Sequence, residues 1–141
     1  MEFKPFTNKL VAVINKNLEI GRAMNALAHL AVGLGGSAPV RDELRLRDYI
    51  DADDGKHPQI SDIPFIILQG GSGQIRNLRK AAIENNLHFT DFTNTMIQDT
   101  YIEQHEKTRN TKEQDFDYFG ICLFGDWKVV SELTKKFSVL K

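Results

Sequence analysis

A single α/β domain is predicted by three features of the 141-residue sequence. Leu10 to Ile14 form an unbroken apolar run rich in β-branched residues, the pattern of a strand covered on both faces. Two runs of this kind, LVAVIN and PFIILQGG, are each followed within a few residues by a segment of helical period, the unit from which helix-layered sheets are built. No linker, internal repeat or low-complexity tract interrupts residues 1–141, and the length suits one core.

Each element follows from its local pattern. Lys9 to Asn15 is read as a central strand, and the turn KNLEIG leads from it into the helix GRAMNALAHLAVGLGG, Gly21 to Gly36. Met24, Leu27, Ala28, Ala31 and Leu34 recur there at helical spacing, while Gly33, Gly35 and Gly36 dissolve the helix end. Asp53, Asp54 and Gly55 separate two short runs of β character, Asp48 to Ala52 and Lys56 to Ile60, so a hairpin is expected. From Pro64 a second buried strand runs to a glycine stop, and Ser72 is the expected N-cap of a helix over about Gly73 to Asn86. Ile75, Leu78, Ala82 and Ile83 make its apolar face. LHFTDFTNTM alternates aromatic and polar residues as a strand near a sheet edge does. Ile97 to Phe116 is strongly charged and reads as a protruding loop or a solvated helix. DYFGICLFG is the last strand, after which Asp126 caps a helix from Trp127 to Phe137. Val129, Val130, Leu133 and Phe137 form its face, and Lys135 and Lys136 suit the negative end of its dipole.

Composition narrows the function classes. Eighteen basic against nineteen acidic residues leave a net charge of -1, so no global positive field is available to hold a phosphate backbone. A nucleic-acid partner such as tRNA would need a local basic band, for which Arg76, Arg79 and Lys80 are the candidates. One cysteine, Cys122, excludes an internal disulfide and a cysteine-rich zinc site, and suits a reducing cytoplasm. It lies in an apolar strand, where an inert buried thiol is expected. MEFKPFTNK is not followed by a signal-peptide core and no apolar run approaches eighteen residues, so a soluble, unprocessed protein without a membrane span is expected. His57, His88 and His105 have no one-turn partner, and no metal site is expected. LQGGSGQ joins a strand to a helix N-terminus, but its spacing fits neither G-x-G-x-x-G nor a Walker loop; a tight turn is the simpler reading, and no cofactor is expected.

Arg22, Asn25 and His29 carry the chemistry of the first helix. Spacings of three and four put the three side chains on one face, where they could converge with Asp91 from a strand end. Arg22 falls in the first turn, whose free N-H groups and positive dipole end add to its attraction for phosphate or carboxylate. Such a face could bind a small anionic or amide-bearing ligand. The competing reading is structural: Asn25 bonded to a neighbouring backbone, His29 half-buried and satisfied, Arg22 paired with Glu19 or Asp91.

The strand LVAVIN, the helix LEIGRAMNALAHLAVGLG and the late DYFGICLFGDWKVVSELTKKF together resemble a family of small uncharacterised proteins, a domain of unknown function whose fold is similar to peptidyl-tRNA hydrolase II. The resemblance covers most of the chain and is weakest from Ser37 to Ser61 and after Asp99. It implies a three-layer fold, a mixed sheet of about four strands with helices on both faces. It does not carry an intact hydrolase site. Where the hydrolases open the helix with Gly-Lys, this chain has Gly21 and Arg22; their Ala-Gln becomes Asn25 and Ala26, and their histidine corresponds to His29. Arginine stays protonated and offers a planar fork, so a lysine-dependent step does not survive the change. The Asp-x-x-Arg-Thr run of the hydrolases is matched by Asp91 to Thr95 with Asn94 in place of arginine, and the Gly-Thr that follows only loosely by Asp99 and Thr100.

Two functions are therefore compared: a small binding or regulatory protein on a hydrolase-like scaffold with a degraded site, and a hydrolase of an ester or amide such as peptidyl-tRNA. In the second, Asp91 would orient water or Thr95 while Arg22 or backbone donors stabilise developing negative charge. A homodimer is also expected. Ala23, Ala26, Ala28, Ala31 and Gly33 permit close approach but supply little apolar area, and the charged run from Tyr101 to Asp115 cannot cover them.

Overall fold

The computed structural model describes residues 1–141. Seven strands and five α-helices follow in the order β1 (Asn8–Asn15), α1 (Ile20–Gly36), α2 (Ala38–Arg41), β2 (Leu46–Ile50), β3 (Lys56–Ser61), β4 (Phe65–Gly70), α3 (Ser72–Glu84), β5 (His88–Thr93), α4 (Tyr101–Arg109), β6 (Tyr118–Asp126), α5 (Trp127–Thr134) and β7 (Ser138–Val139). The main sheet has the order β5-β6-β1-β4-β7, with β1 in its middle. Only the β1–β4 pairing is parallel; β6 runs antiparallel to both β1 and β5, and β7 antiparallel to β4. The sheet is mixed, and it has five strands where about four were expected. The extra strand exists because α5 ends at Thr134, three residues short of the expected Phe137, which frees the tail to pair through Ser138 and Val139.

Alternation along β1 builds two cores. Leu10, Ala12 and Ile14 face α1 together with Ala23, Ala26, Leu30 and Leu34. Val11 and Val13 face the opposite side, where α3 supplies Ile75, Leu78 and Ala82 and α5 supplies Val130. Both faces of β1 are thus dry, which is why its sequence reads as a continuous apolar run. The inward face of α1 differs from the expected one: Met24 and Ala28 point to solvent, and Ala23 and Ala26 take the core positions. Small residues win there because the helix lies close to the sheet. At Gly120 of β6 an added Cβ would stand 2.8 Å from Leu30 Cδ1 and 3.0 Å from Ile14 Cδ1, so the contact requires glycine.

Local signals explain most boundaries. Asp126 caps α5, its Oδ1 accepting from Lys128 N at 3.0 Å and Val129 N at 3.1 Å. Ser72 is not the cap of α3. Gly71 holds that position, its N-H donating to the Gln74 side chain at 2.9 Å, while Ser72 Oγ accepts from Tyr118 N at 2.9 Å and ties the helix start to β6. The hairpin forms as β2 and β3, a separate two-stranded sheet around a turn in which Asp51 Oδ1 accepts from Asp53 N and Gly55 N. The strand expected over 87–96 stops at Thr93, and Asn94–Met96 turns as a short 3-10 helix. Asn94 drives the turn: its N-H donates to Asp117 O and its side-chain oxygen accepts from Asp117 N, both at 3.0 Å. The charged stretch forms a solvated helix, α4, with no buried residue.

Candidate functional site: a polar pocket on the first helix

The N-terminal half of α1 and the turn after β5 border an open pocket of about 550 Å³ lined by Glu19, Gly21, Arg22, Asn25, His29, Met96, Ile97, Gln98 and Gln104. It lies at the carboxyl ends of β1 and β5, which run in the same direction because each is antiparallel to β6. At the end of β1, Asn15 is buried and braces the loop entering α1: its Nδ2 donates to Tyr118 O at 2.8 Å and its Oδ1 accepts from Asn17 N at 2.9 Å. On the other wall the backbone is strained. Gln98 and Asp99 are consecutive left-handed residues, each with φ 59°. Non-glycine residues there cost on the order of 1 kcal/mol each, a conformation that persists only when its surroundings hold it. Gln104 Nε2 from α4 donates to Gln98 O at 2.8 Å, and Lys107 pairs with Asp99. The rim of the pocket is therefore held by the helix that the charged stretch becomes.

The stripe Arg22, Asn25 and His29 lines this pocket as its spacing predicts. All three residues are exposed, and none of their side chains makes a hydrogen bond or ion pair within the chain. The expected structural pairings of Arg22 with Glu19 or Asp91 are absent. His29 lies against Phe92, ring centroids 5.3 Å apart and planes 10° from parallel. Glu19 precedes α1 with no side-chain cap, and the first turn holds no acidic residue, so the N-H groups of Ile20, Gly21 and Arg22 have no partner. One cation, a bare helix end, an imidazole and three side-chain amides thus converge beside two apolar residues, an arrangement suited to a small polar ligand with a negatively charged group.

Asp91 does not join them. Strand alternation puts Thr90 and Phe92 on the α1 face, where Thr90 Oγ1 donates to Leu30 O at 2.9 Å, and turns Asp91 to the opposite face of the sheet. There its Oδ2 accepts from Arg79 Nε of α3 at 2.8 Å. The Arg79 guanidinium lies partly buried; its pKa is raised, burial opposing the shift and the Asp91 bond and charge driving it. Thr95 is also unavailable as a nucleophile: it is buried, its hydroxyl bonded to the hydroxyls of Thr93 and Thr108, each at 2.8 Å. The expected basic band is likewise spent. Arg76 Nε donates to Glu113 at 3.0 Å and its NH2 group to Phe116 O at 2.6 Å, so with Arg79 paired to Asp91 only Lys80 of the three cations stays unpaired.

The sequence reading missed Gln98 and Gln104. One signal pointed there. Thr100 and Glu103 have the spacing of a helix start, and Thr100 does cap α4, accepting from Glu103 N at 3.4 Å. The left-handed pair before it carries no sequence mark, since neither Gln98 nor Asp99 is glycine. No helix is long and apolar enough to cross a membrane.

Residues 8–141 match a family described as "Protein of unknown function (DUF2000)". The fold is similar to the solved structure of Atu0240, a protein of unknown function from Agrobacterium tumefaciens strain C58, with a TM-score of 0.84 and 16% identity over 97% of this chain and 100% of that one. No curated protein matches the chain.

Proposed function

The chain belongs to the DUF2000 family of proteins of unknown function, and we propose that it is a small-ligand-binding protein whose α1 pocket takes a small molecule bearing a carboxylate or phosphate and an amide. The single observation that carries this reading is the unpaired stripe. The side chains of Arg22, Asn25 and His29 have no hydrogen-bonding or charged partner in the protein and share one pocket of about 550 Å³, the size range of metabolite sites. Arg22 and the uncapped start of α1 receive the anionic group, and Asn25 with the free carbonyl oxygen of Gln104 receives the amide. Glu19 on the entrance disfavours ligands of high negative charge, so a monoanion suits the site better than a polyphosphate or an RNA backbone.

The helix entry and the Asp91 to Thr95 segment support kinship with a peptidyl-tRNA hydrolase II scaffold whose chemistry has lapsed. The residues expected to carry hydrolysis do not meet: the sheet separates Asp91 from Arg22, and Thr95 is buried. A cytoplasmic binding or regulatory role fits the balanced charge and the lone buried thiol.

Calorimetric titration with inorganic phosphate, acetate and N-acetylglycine tests the reading. N-acetylglycine, with both groups, is expected to bind most tightly, and Arg22→Gln to weaken it about tenfold or more, the effect of losing a charge-assisted bond. Equal binding by wild type and Arg22→Gln would refute the pocket. Turnover of peptidyl-tRNA by the wild type that Arg22→Gln abolishes would replace the binding role with the hydrolase one.

A further inference from the structure

The solvent side of α1 does not look like that of an isolated helix. Arg22 is the only charged residue among its seventeen. Ile20, Met24, Ala28 and Val32, four apart, form one ridge along the exposed side, with Ile20 69%, Met24 64% and Val32 76% exposed. A surface helix normally turns its charges to water, so an uncharged apolar ridge left bare marks an interaction surface.

We infer that this ridge pairs with α1 of a second copy of the chain, antiparallel, around a two-fold axis at Ala28. The ridge is apolar on both sides of that residue, so it can pack on a copy of itself. Positions equally distant from Ala28 meet across the axis: Met24 packs on the partner's Val32, apolar against apolar, and Ile20 seats over the partner's Gly36. Bulk falls opposite glycine at both ends, and alanine at the crossing lets the backbones approach to about 8 Å. Charge selects the same register. With the axis at Ala28 the two Arg22 residues lie about 18 Å apart along the helices, beyond the Debye length, whereas an axis at Met24 would bring them within about 6 Å.

The pairing also completes the pocket. The Arg22, Asn25 and His29 stripe borders the ridge, so the last turn of the partner's helix walls the outer side of a site that is open in one copy. This inference does not rest on the identity of the ligand. A seam of one helix against another lies at the small end of the interface scale, below about 1,200 Å² in total, the class of weak and transient contacts, so association is sought in the micromolar range.

Sedimentation velocity of the intact protein from about 5 to 500 μM, spanning that range, is the test. The expected result is a rise from the 16.0 kDa chain mass towards twice that value. Ala28→Glu, at an exposed position, is expected to keep the thermal melt and remain monomeric throughout. An independent readout is Ala28→Cys, which should give a disulfide-linked dimer under mild oxidation, while Lys80→Cys on α3 should not; the native Cys122 is buried and stays out of the reaction. A monomer at the highest concentration, or a dimer that Ala28→Glu leaves intact and Ala28→Cys does not cross-link, would overturn the proposal.

Discussion

His29 lies parallel to the Phe92 ring at 5.3 Å, a contact that joins the pocket wall of α1 to the core side of β5. Phe92 is 7% exposed, and its own ring meets Phe119 at 6.4 Å. The imidazole is therefore held by a rigid surface while its edge stays in the pocket. Phe92→Ala should destabilise the protein by about 3 to 5 kcal/mol, the cost of a large core truncation. His29→Ala should cost under about 1 kcal/mol, since an exposed ring loses only its stack. Urea denaturation of the two variants checks the contrast, and comparable losses would show that His29 is a core residue.

Asp91 and Arg79 allow the two faces of the sheet to be tested separately. Asp91→Asn should leave N-acetylglycine binding at the α1 pocket unchanged while lowering stability by roughly 1 to 3 kcal/mol, because a partly buried guanidinium loses its counter-charge. The measurement is a calorimetric titration beside a denaturation curve. Loss of binding with unchanged stability would mean that Asp91 acts at the site after all.

Legibility in the sequence followed how local the governing physics was. The run Leu10 to Ile14 announces its own burial because both faces are covered, and Asp126 announces a helix start because capping acts over three residues. The stripe on α1 was legible for the same reason: helical spacing fixes which side chains share a face. What failed depended on partners distant in sequence. Whether Asp91 or Thr90 faces α1 is a matter of strand phase, set by β6, and alternation alone cannot assign the faces. Met24 and Ala28 fit a helical apolar face as well as Ala23 and Ala26 do; the close approach at Gly120 chooses the smaller pair. The pocket rim at Gln98 and Asp99 depends on two side chains of α4, so no window around it predicts its left-handed backbone.

Cys122 supplies a pH prediction. Burial pushes its thiol up to about 12, opposed weakly by a bond to the Leu123 backbone. The unfolded thiol ionises near about 8.5, so above that pH the folded chain retains a proton that the unfolded chain releases. This contribution is intact below about pH 8.5 and is lost as pH rises towards 12, at up to about 1.4 kcal/mol per pH unit. Cys122→Ala removes it, so the stability difference between wild type and variant should shift steadily in favour of the variant from about pH 9 to 11. A thiol reagent at pH 8 should likewise label Cys122 only after denaturant is added. Rapid labelling of the native protein would show that the α1 face of the sheet opens.

Gly120 offers the sharpest test of how α1 is seated. A Cβ there would meet Leu30 Cδ1 at 2.8 Å and Ile14 Cδ1 at 3.0 Å, with Val13 O at 3.3 Å behind them. Leu30 and Ile14 are themselves buried at 1% and 0% exposure, so neither methyl can swing into open space. The added methyl must therefore push α1 off the sheet or force both side chains from their rotamers, costing about 1 to 3 kcal/mol. Leu30→Ala in the Gly120→Ala background removes the closer atom and makes room. The double variant should lose less stability than the sum of the single losses, by about 0.5 kcal/mol or more, as expected for residues in contact. Strict additivity in guanidinium denaturation would mean that α1 does not rest on Gly120 through Leu30.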